Sequence, residues 1–320
     1  MFGYVKRADS THSPALHGCI AQIHAERETI WKPCDAVDCE QIYHYTSVSS
    51  AYNILKDRVL WASDVLSMND GSEFRYAVSV VHEVLMGLWS VLPIRVPEYF
   101  RPKKLLRAGW KWDMFATCFC SEPDLLSQWR AYASNAQGVA VGFRVKPLRE
   151  FGASSNEFAL IPMQYDPALL RDRTQRMCDF ALRLATSEPL PYDELEIFWF
   201  EVALSLQNLT HRFKNPSFAE EKEWRALGLR TDDCPTFQRI VEGQEQRHVH
   251  LHFRPEMVSQ IVLGPLAHTV VESQLRQFLG SNGLQHVLIR RSSIPLRAAL
   301  SADAAFQRLG VACGTPPQSP

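Results

Sequence analysis

The stretch KWDMFATCFCSEPDLLSQWRAYASNAQGVAVGFRV, residues 111–145, contains two apolar strands separated by one short helix. Both ends of the stretch are short runs rich in aromatic and β-branched residues, which is typical of buried strands. The residues between them, 124–133, carry Trp129 and Tyr132 three positions apart, so both rings fall on one side of a helix. A further strand is predicted directly afterwards, so strands neighbour each other in the chain.

Strands and helices continue on both sides of this stretch without strict alternation. The predicted strands are 41–45, 60–63, 111–120, 138–145, 158–165, 221–229, 249–253, 258–263 and 286–290. Apolar helical patterns over 167–215 predict a helical hairpin inserted between strands. No glycine-rich phosphate loop follows a strand, which disfavours a dinucleotide-binding parallel sheet or a barrel. The fold class expected is α+β, with mixed, mostly antiparallel sheets and flanking helices.

The 320 residues are 46% hydrophobic and 22% charged, with a net charge of −1. This composition is that of an ordinary globular chain, long enough for one large domain or two modest ones. The weak periodicity of the first residues predicts an N-terminal extension at 1–40, followed by one α+β domain at 41–300 and a C-terminal tail at 301–320. The balanced charge gives no overall attraction to nucleic acid, so such a partner requires a local basic patch.

The beginning of the sequence lacks the apolar core of a signal peptide, and no later run is long enough to cross a bilayer. We therefore expect a cytoplasmic protein with no membrane partner. The cysteines are scattered without a Cys-x-x-Cys pair, which indicates reduced thiols. Oligomeric state is not evident from the sequence.

His44, Tyr45, Thr46 and Ser47 lie where a predicted strand meets a predicted helix. Free N–H groups at the start of a helix attract anionic ligands, and functional side chains often occupy such junctions. This motif is therefore a candidate ligand site. The alternative is a capped helix beside a packed histidine.

A second candidate is the acidic motif Glu221-Lys222-Glu223-Trp224-Arg225, predicted to lie in a strand. Alternation along a strand directs Glu221, Glu223 and Arg225 to one face and Trp224 to the core. Two neighbouring carboxylates raise each other's pKa and a guanidinium lowers it, an arrangement expected where one carboxylate has a set task. The alternative is a solvated charged face.

Two weaker patterns are also candidates for a functional site. Trp129 or Tyr132 suits a flat cationic ring near carboxylates, although core packing is the more common explanation of such a pair. His248, His250 and His252 alternate along a strand and share a face, which raises the alternative of a metal-dependent hydrolase. Since no acidic or cysteine ligand stands close in sequence, we predict no metal site.

Taken together, an ordered set of motifs resembles the bacterial domain-of-unknown-function family 2971 over residues 41–297. The motifs are IYHYTS at 42–47, ILK at 54–56, MND at 68–70 with Glu73, CFCS at 118–121, WRAYA at 129–133, GVAVGF at 138–143, EKEWR at 221–225, IVLG at 261–264 and SIPLR at 293–297. More loosely, the strand, helix and strand of 42–62 look like the opening of ADP-ribosyltransferase-like folds. The predicted core is ADP-ribosyltransferase-like for that reason.

This second resemblance implies that NAD is bound as a substrate. His44 and Thr46 would hold NAD, and Tyr132 or Trp129 would stack on nicotinamide. Tyr45 would lie in the same NAD site, at a position where those enzymes usually have glycine.

The resemblance also implies roles in catalysis for the residues of the acidic motif and for Ser121. Glu223 would be the catalytic carboxylate, supported by Ser121, while Glu221 would orient the acceptor and Arg225 would contact NAD. The function expected is an NAD-dependent ADP-ribosyltransferase or NAD glycohydrolase, such as a toxin or phage-defence effector that modifies a protein or nucleic acid. The competing interpretation is a non-catalytic binding or regulatory module.

Overall fold

The computed structural model describes residues 12–35, 38–65, 71–89, 114–229, 235–241 and 243–296. The strands are β1 (Gln41–Thr46), β2 (Val59–Asp64), β3 (Met114–Cys120), β4 (Val139–Arg144), β5 (Ala159–Pro162), β6 (Glu223–Leu229), β7 (Phe237–Val241), β8 (Gln244–His252), β9 (Val258–Leu263) and β10 (Leu288–Arg291). The helices are α1 (Pro14–Asp35), α2 (Val48–Asp57), α3 (Gly71–Trp89), α4 (Leu126–Tyr132), α5 (Val145–Ser155), α6 (Pro167–Ser187), α7 (Tyr192–Thr210) and α8 (Thr269–Ser281).

The strands form one open sheet in the order β10-β9-β4-β1-β3-β2-β8-β7, and β6 joins β3 to β5. Among the described strands, β9 and β10 pair in parallel and the other pairs are antiparallel. Helices flank this sheet. The expectation of an α+β fold with a largely antiparallel sheet is confirmed.

The sheet is split between β1 and β2, which share one edge of β3. β1 pairs with β3 at Cys120, whereas β2 pairs with it at Phe115 and Ala116, near the opposite end. Between these points, side chains replace strand pairing: His44 donates to the Cys118 carbonyl at 2.9 Å, and Thr117 donates to the Trp61 carbonyl at 3.0 Å. Because buried backbone groups need partners, these bonds stabilise the split.

The described residues form two large hydrophobic cores. One packs α2, α5 and α8 against the sheet, with Trp224 of β6 buried in it, on the apolar face that the sequence predicted. The other is formed by α1, α3, α6 and α7. The helices α6 and α7 occupy the region of the predicted hairpin.

The helix α1 was not predicted, since residues 1–40 were expected to be an extension. Its buried positions are Leu16, Cys19, Ile23 and Ile30, spaced for one helical face but separated by polar residues. Ser13 anchors its start, because both its backbone N–H and its hydroxyl donate to Glu194. In the part of the chain described, no helix is long and apolar enough to span a bilayer.

Candidate functional site

A cavity of about 670 Å³ opens where β1 and β2 separate. Its walls come from β1, α2, β2, β3, α4, β6 and residues 214–221, with β7 and β8 at one end. The volume falls within the range typical of small-molecule sites, roughly 300–1,000 Å³. His44 and Glu223, far apart in the sequence, both line this cavity.

His44 lies in the cavity wall with a defined tautomer. Its Nδ1 is 2.9 Å from the Cys118 carbonyl, which only accepts, so Nδ1 carries the proton. Burial lowers the pKa of His44, which favours the neutral ring. His44 is therefore a neutral imidazole whose Nε2 is an acceptor, suited to a ligand hydroxyl.

Tyr45 and Thr46 also line the cavity, but Tyr45 has a structural task. Its hydroxyl donates to the Glu122 carbonyl at 2.7 Å and accepts from the Leu125 N–H at 3.1 Å. Tyr45 therefore fixes the loop between β3 and α4. Thr46 ends β1, and the next residue, Ser47, caps α2 by accepting from the Ser50 N–H at 3.0 Å.

The opposite wall holds a buried charge cluster centred on Glu223, which is 4% exposed. Arg225 binds both carboxylate oxygens, with Nε at 2.6 Å from Oε1 and Nη2 at 3.0 Å from Oε2. Lys214 Nζ lies 2.9 Å from Oε2 and also pairs with Glu221. Glu223 is thus held in a fixed position by two cations.

Glu221 does not belong to the strand that was predicted to contain it. It ends a 3₁₀ helix, Pro216–Glu221, and Lys222 follows with φ 44°, a left-handed conformation. β6 begins only at Glu223. Glu221 still reaches the cluster through Lys214, and its side chain is more exposed than that of Glu223.

The ionisation of Glu223 is set by its neighbours. Burial by itself raises the pKa of Glu223, but Arg225 and Lys214 outweigh burial and hold the pKa at about 2. Glu223 is therefore negatively charged at neutral pH and balances the buried cations.

This lowered pKa predicts a pH dependence of stability. The contribution of Glu223 is fully present above its ordinary pKa of 4.5 and is lost as pH falls towards 2, since the unfolded chain binds the proton more readily. In urea unfolding, the stability difference between wild type and Glu223→Gln is expected to shrink from pH 6 to pH 3. The exposed neighbour variant Glu220→Gln should show no such trend. A Glu223→Gln difference that is constant with pH would contradict the assignment.

Ser121, which was expected to support Glu223, is not among the residues that line the cavity. Its backbone N–H donates to the carbonyl of Lys222, next to Glu223, at 3.1 Å. The thiol of Cys118 hydrogen-bonds Glu223 instead. β3 runs antiparallel to β6 with Cys118 opposite Arg225, which brings the thiol to the cluster.

The structure separates the two aromatic candidates of α4. Trp129 is completely buried against Tyr45, and its Nε1 donates to Asp124 at 2.7 Å, so it has no face for a ligand. Tyr132 is 48% exposed and lines the cavity. Tyr132 is therefore the ring of α4 that a ligand can reach.

Asp124 fixes α4 to the C-terminal part of the domain. Besides Trp129, it accepts hydrogen bonds from the hydroxyls of Ser292 and Ser293 and from the Ser293 N–H, at 2.6–2.9 Å. These contacts give Ser293, the first residue of the motif at 293–297, a structural role. They hold the helix that carries Gln128 and Tyr132 into the cavity wall.

Sequence reasoning missed Lys214, Cys118 and Gln128. Lys214 is 3% exposed and comes shortly after α7, at the point where the chain returns from the helical bundle. A single lysine or cysteine in sequence gives no sign of such a role. Lys214 precedes Glu221 and Glu223 by fewer than ten positions in the sequence. This short separation was the one sign in the sequence that the lysine could form an ion pair with the predicted site carboxylates.

The three alternating histidines do share a face, but they make ring contacts. His248 and His250 stack with Trp61 and Phe237, and His252 pairs with Glu157. Over the described ranges, no three His, Cys, Asp or Glu side chains are grouped to hold a metal ion.

Residues 128–226 match the model of the family described as protein of unknown function (DUF2971). The expected resemblance to this family is confirmed for that segment, which contains Gln128, Tyr132, Lys214 and the 221–225 motif. No curated protein and no solved structure matches the chain.

Proposed function

We propose that this chain binds NAD in the cleft and breaks the bond between nicotinamide and ribose, passing ADP-ribose to a macromolecular acceptor or to water. The observation that carries the proposal is one cavity lined by His44 and Thr46 from β1, Tyr132 from α4 and the carboxylates at 221 and 223. This convergence of the β1-α2-β2 opening with a late Glu-x-Glu motif also supports an ADP-ribosyltransferase-like core.

The nicotinamide end of the ligand is assigned to the wall formed by Tyr132 and Glu221. A positively charged nicotinamide ring is attracted by an aromatic face and by a carboxylate. Tyr132 is half-exposed and supplies the ring, and its partial burial raises the pKa of its hydroxyl to about 12, so the side chain is neutral. His44, with an acceptor nitrogen, suits a ribose hydroxyl.

The carboxylates have different tasks in this proposal. Arg225 and Lys214 bind both carboxylate oxygens of Glu223, so the role of Glu223 is to position these two cationic side chains. Glu221 is more exposed and is the carboxylate we assign to the ribose. This reverses the roles that the resemblance implied, because burial and pairing leave Glu223 little capacity for a ligand.

The reaction needs no bound metal. The bond between ribose C1′ and the nicotinamide nitrogen breaks, its electron pair stays on nitrogen, and nicotinamide leaves as a neutral molecule. Positive charge develops on the ribose, and a nearby carboxylate stabilises it, as in glycoside hydrolysis. The acceptor or water then bonds to C1′ and releases a proton.

A nucleotide-binding module without turnover is the second candidate. The observation that favours it is the complete pairing of Glu223, which also fits a purely structural ion cluster. Both candidate functions require binding of a nucleotide in the cavity, and only the first requires release of nicotinamide.

The test combines binding with turnover. Purified protein is mixed with NAD labelled in the nicotinamide ring, with and without cell extract, and both the thermal unfolding midpoint and released nicotinamide are measured. The proposal expects an NAD-dependent rise of the midpoint and release above that of the extract alone. A midpoint shift without release supports the binding module, and neither a shift nor release overturns both.

A further inference from the structure

At the end of the cavity formed by β2, β7 and β8, aromatic rings from these three adjacent strands stack on one face of the sheet. Trp61 of β2 stacks with His248 of β8 at 4.4 Å between ring centroids and lies nearly parallel to His250, at 7°. Phe237 of β7 stacks with His250 at 4.0 Å. The rings lie side by side because Trp61 pairs with His250, and Phe237 with His248, in register.

Trp61 ends this stack on the cavity side. Both histidines belong to β8, so they cover the same side of the indole, while β2 faces the split of the sheet on its other side. Trp61 is 50% exposed and lines the cavity. A large, half-exposed ring that is held by stacked neighbours offers a surface on which a planar ligand group can stack.

Arg239 lies over the Trp61 ring. Its guanidinium carbon is 5.7 Å from the Trp61 ring centroid, and its Nη2 donates to Ser63 Oγ at 3.0 Å and Gln246 Oε1 at 3.3 Å. Its Nε is buried and has no hydrogen-bond partner within the described ranges. In those ranges Arg239 also forms no ion pair with a carboxylate, unlike Arg225 and Arg247.

We propose that Trp61 and Arg239 form a subsite for a nucleoside phosphate, with the base on the indole and the phosphate on the guanidinium. A guanidinium held by neutral groups keeps its charge available for an anion, and arginine binds phosphate through several donors at once. Every nucleobase has a face that stacks on an aromatic ring. Neither contact depends on the proposed NAD cleavage.

Two ligands carry a nucleoside phosphate that this subsite would bind. The nucleoside phosphate is either the adenosine half of NAD, lying across the cleft from the Glu221 end, or a nucleotide of the acceptor. In both cases the ligand needs a base and a phosphate together.

AMP is the probe, and its binding is followed by tryptophan fluorescence and by isothermal calorimetry. Trp61→Ala and Arg239→Gln are each expected to weaken AMP binding by about tenfold or more, whereas Trp61→Phe retains most of it. The controls are Tyr192→Ala and Arg276→Gln, an exposed aromatic and an exposed arginine that do not line the cavity. Adenosine without phosphate should bind more weakly than AMP.

The proposal is overturned if AMP does not bind at millimolar concentration, or if both variants bind it as wild type does. AMP binding that competes with NAD identifies the adenosine half of NAD as the source. AMP binding to the NAD-loaded protein identifies the acceptor. AMP binding that requires Trp61, in a protein that releases no nicotinamide, upholds this subsite while the proposed transfer fails.

Discussion

Replacing Glu223 with glutamine is expected to lower the free energy of unfolding by about 3 kcal/mol at neutral pH. The physical reason is that Arg225 and Lys214 are 6% and 3% exposed and would lose the negative charge that compensates them. Removing one member of a buried ion cluster leaves charges without compensation, which costs more than the net contribution of the pair. Urea unfolding at pH 7 measures the effect.

Glu221→Gln is the matched comparison, because it removes a second carboxylate from the same lysine at a more exposed position. We expect it to cost less than about 1 kcal/mol. Equal destabilisation by the two substitutions, or none by Glu223→Gln, would contradict the assignment of Glu223 as the centre of the cluster.

Replacing Glu221 with glutamine is expected to reduce nicotinamide release by about a hundredfold or more. This prediction depends on the proposed function. Glutamine keeps the size of the side chain and removes the negative charge that stabilises the developing cation on ribose, so NAD binding should change much less than turnover. Release of labelled nicotinamide at saturating NAD measures turnover, and calorimetry measures binding.

Glu220→Gln is the control, since Glu220 is the adjacent exposed residue of the same 3₁₀ helix and does not line the cavity. Turnover by Glu221→Gln within a few-fold of the control would show that this carboxylate does not act on the ribose. Full loss with Glu223→Gln and none with Glu221→Gln would restore the roles that the resemblance implied.

The sequence predicted most of the sheet because its strands have strong local signals. Short runs of aromatic and β-branched residues identified β1, β3, β4 and β9. The strand β7 was missed because the polar residues Gln238 and Arg239 interrupt its apolar residues, and α5 was missed because it follows β4 directly. No sequence pattern predicts the split between β1 and β2, because the split arises from the pairing of both strands with β3.

Three of the residues predicted for the candidate site, His44, Tyr132 and Glu223, line one cavity, and their roles are part of the proposal. Alternation placed Glu223 and Arg225 on one face correctly, but the strand was predicted to begin two residues too early. The left-handed conformation of Lys222, which precedes the strand, is not evident from a lysine in the sequence. Choosing between Trp129 and Tyr132 required burial, which three-residue spacing does not provide. Lys214 enters the cluster through the return of the chain from the helical bundle, a long-range consequence of the fold.

The most direct measurement is a crystal structure of Glu221→Gln with NAD bound. The account predicts the nicotinamide riboside between Tyr132 and residue 221, with a ribose hydroxyl within hydrogen-bond distance of His44. A dinucleotide bound away from β1 and the 221–225 segment, or a cleft that remains empty at saturating NAD, would contradict it.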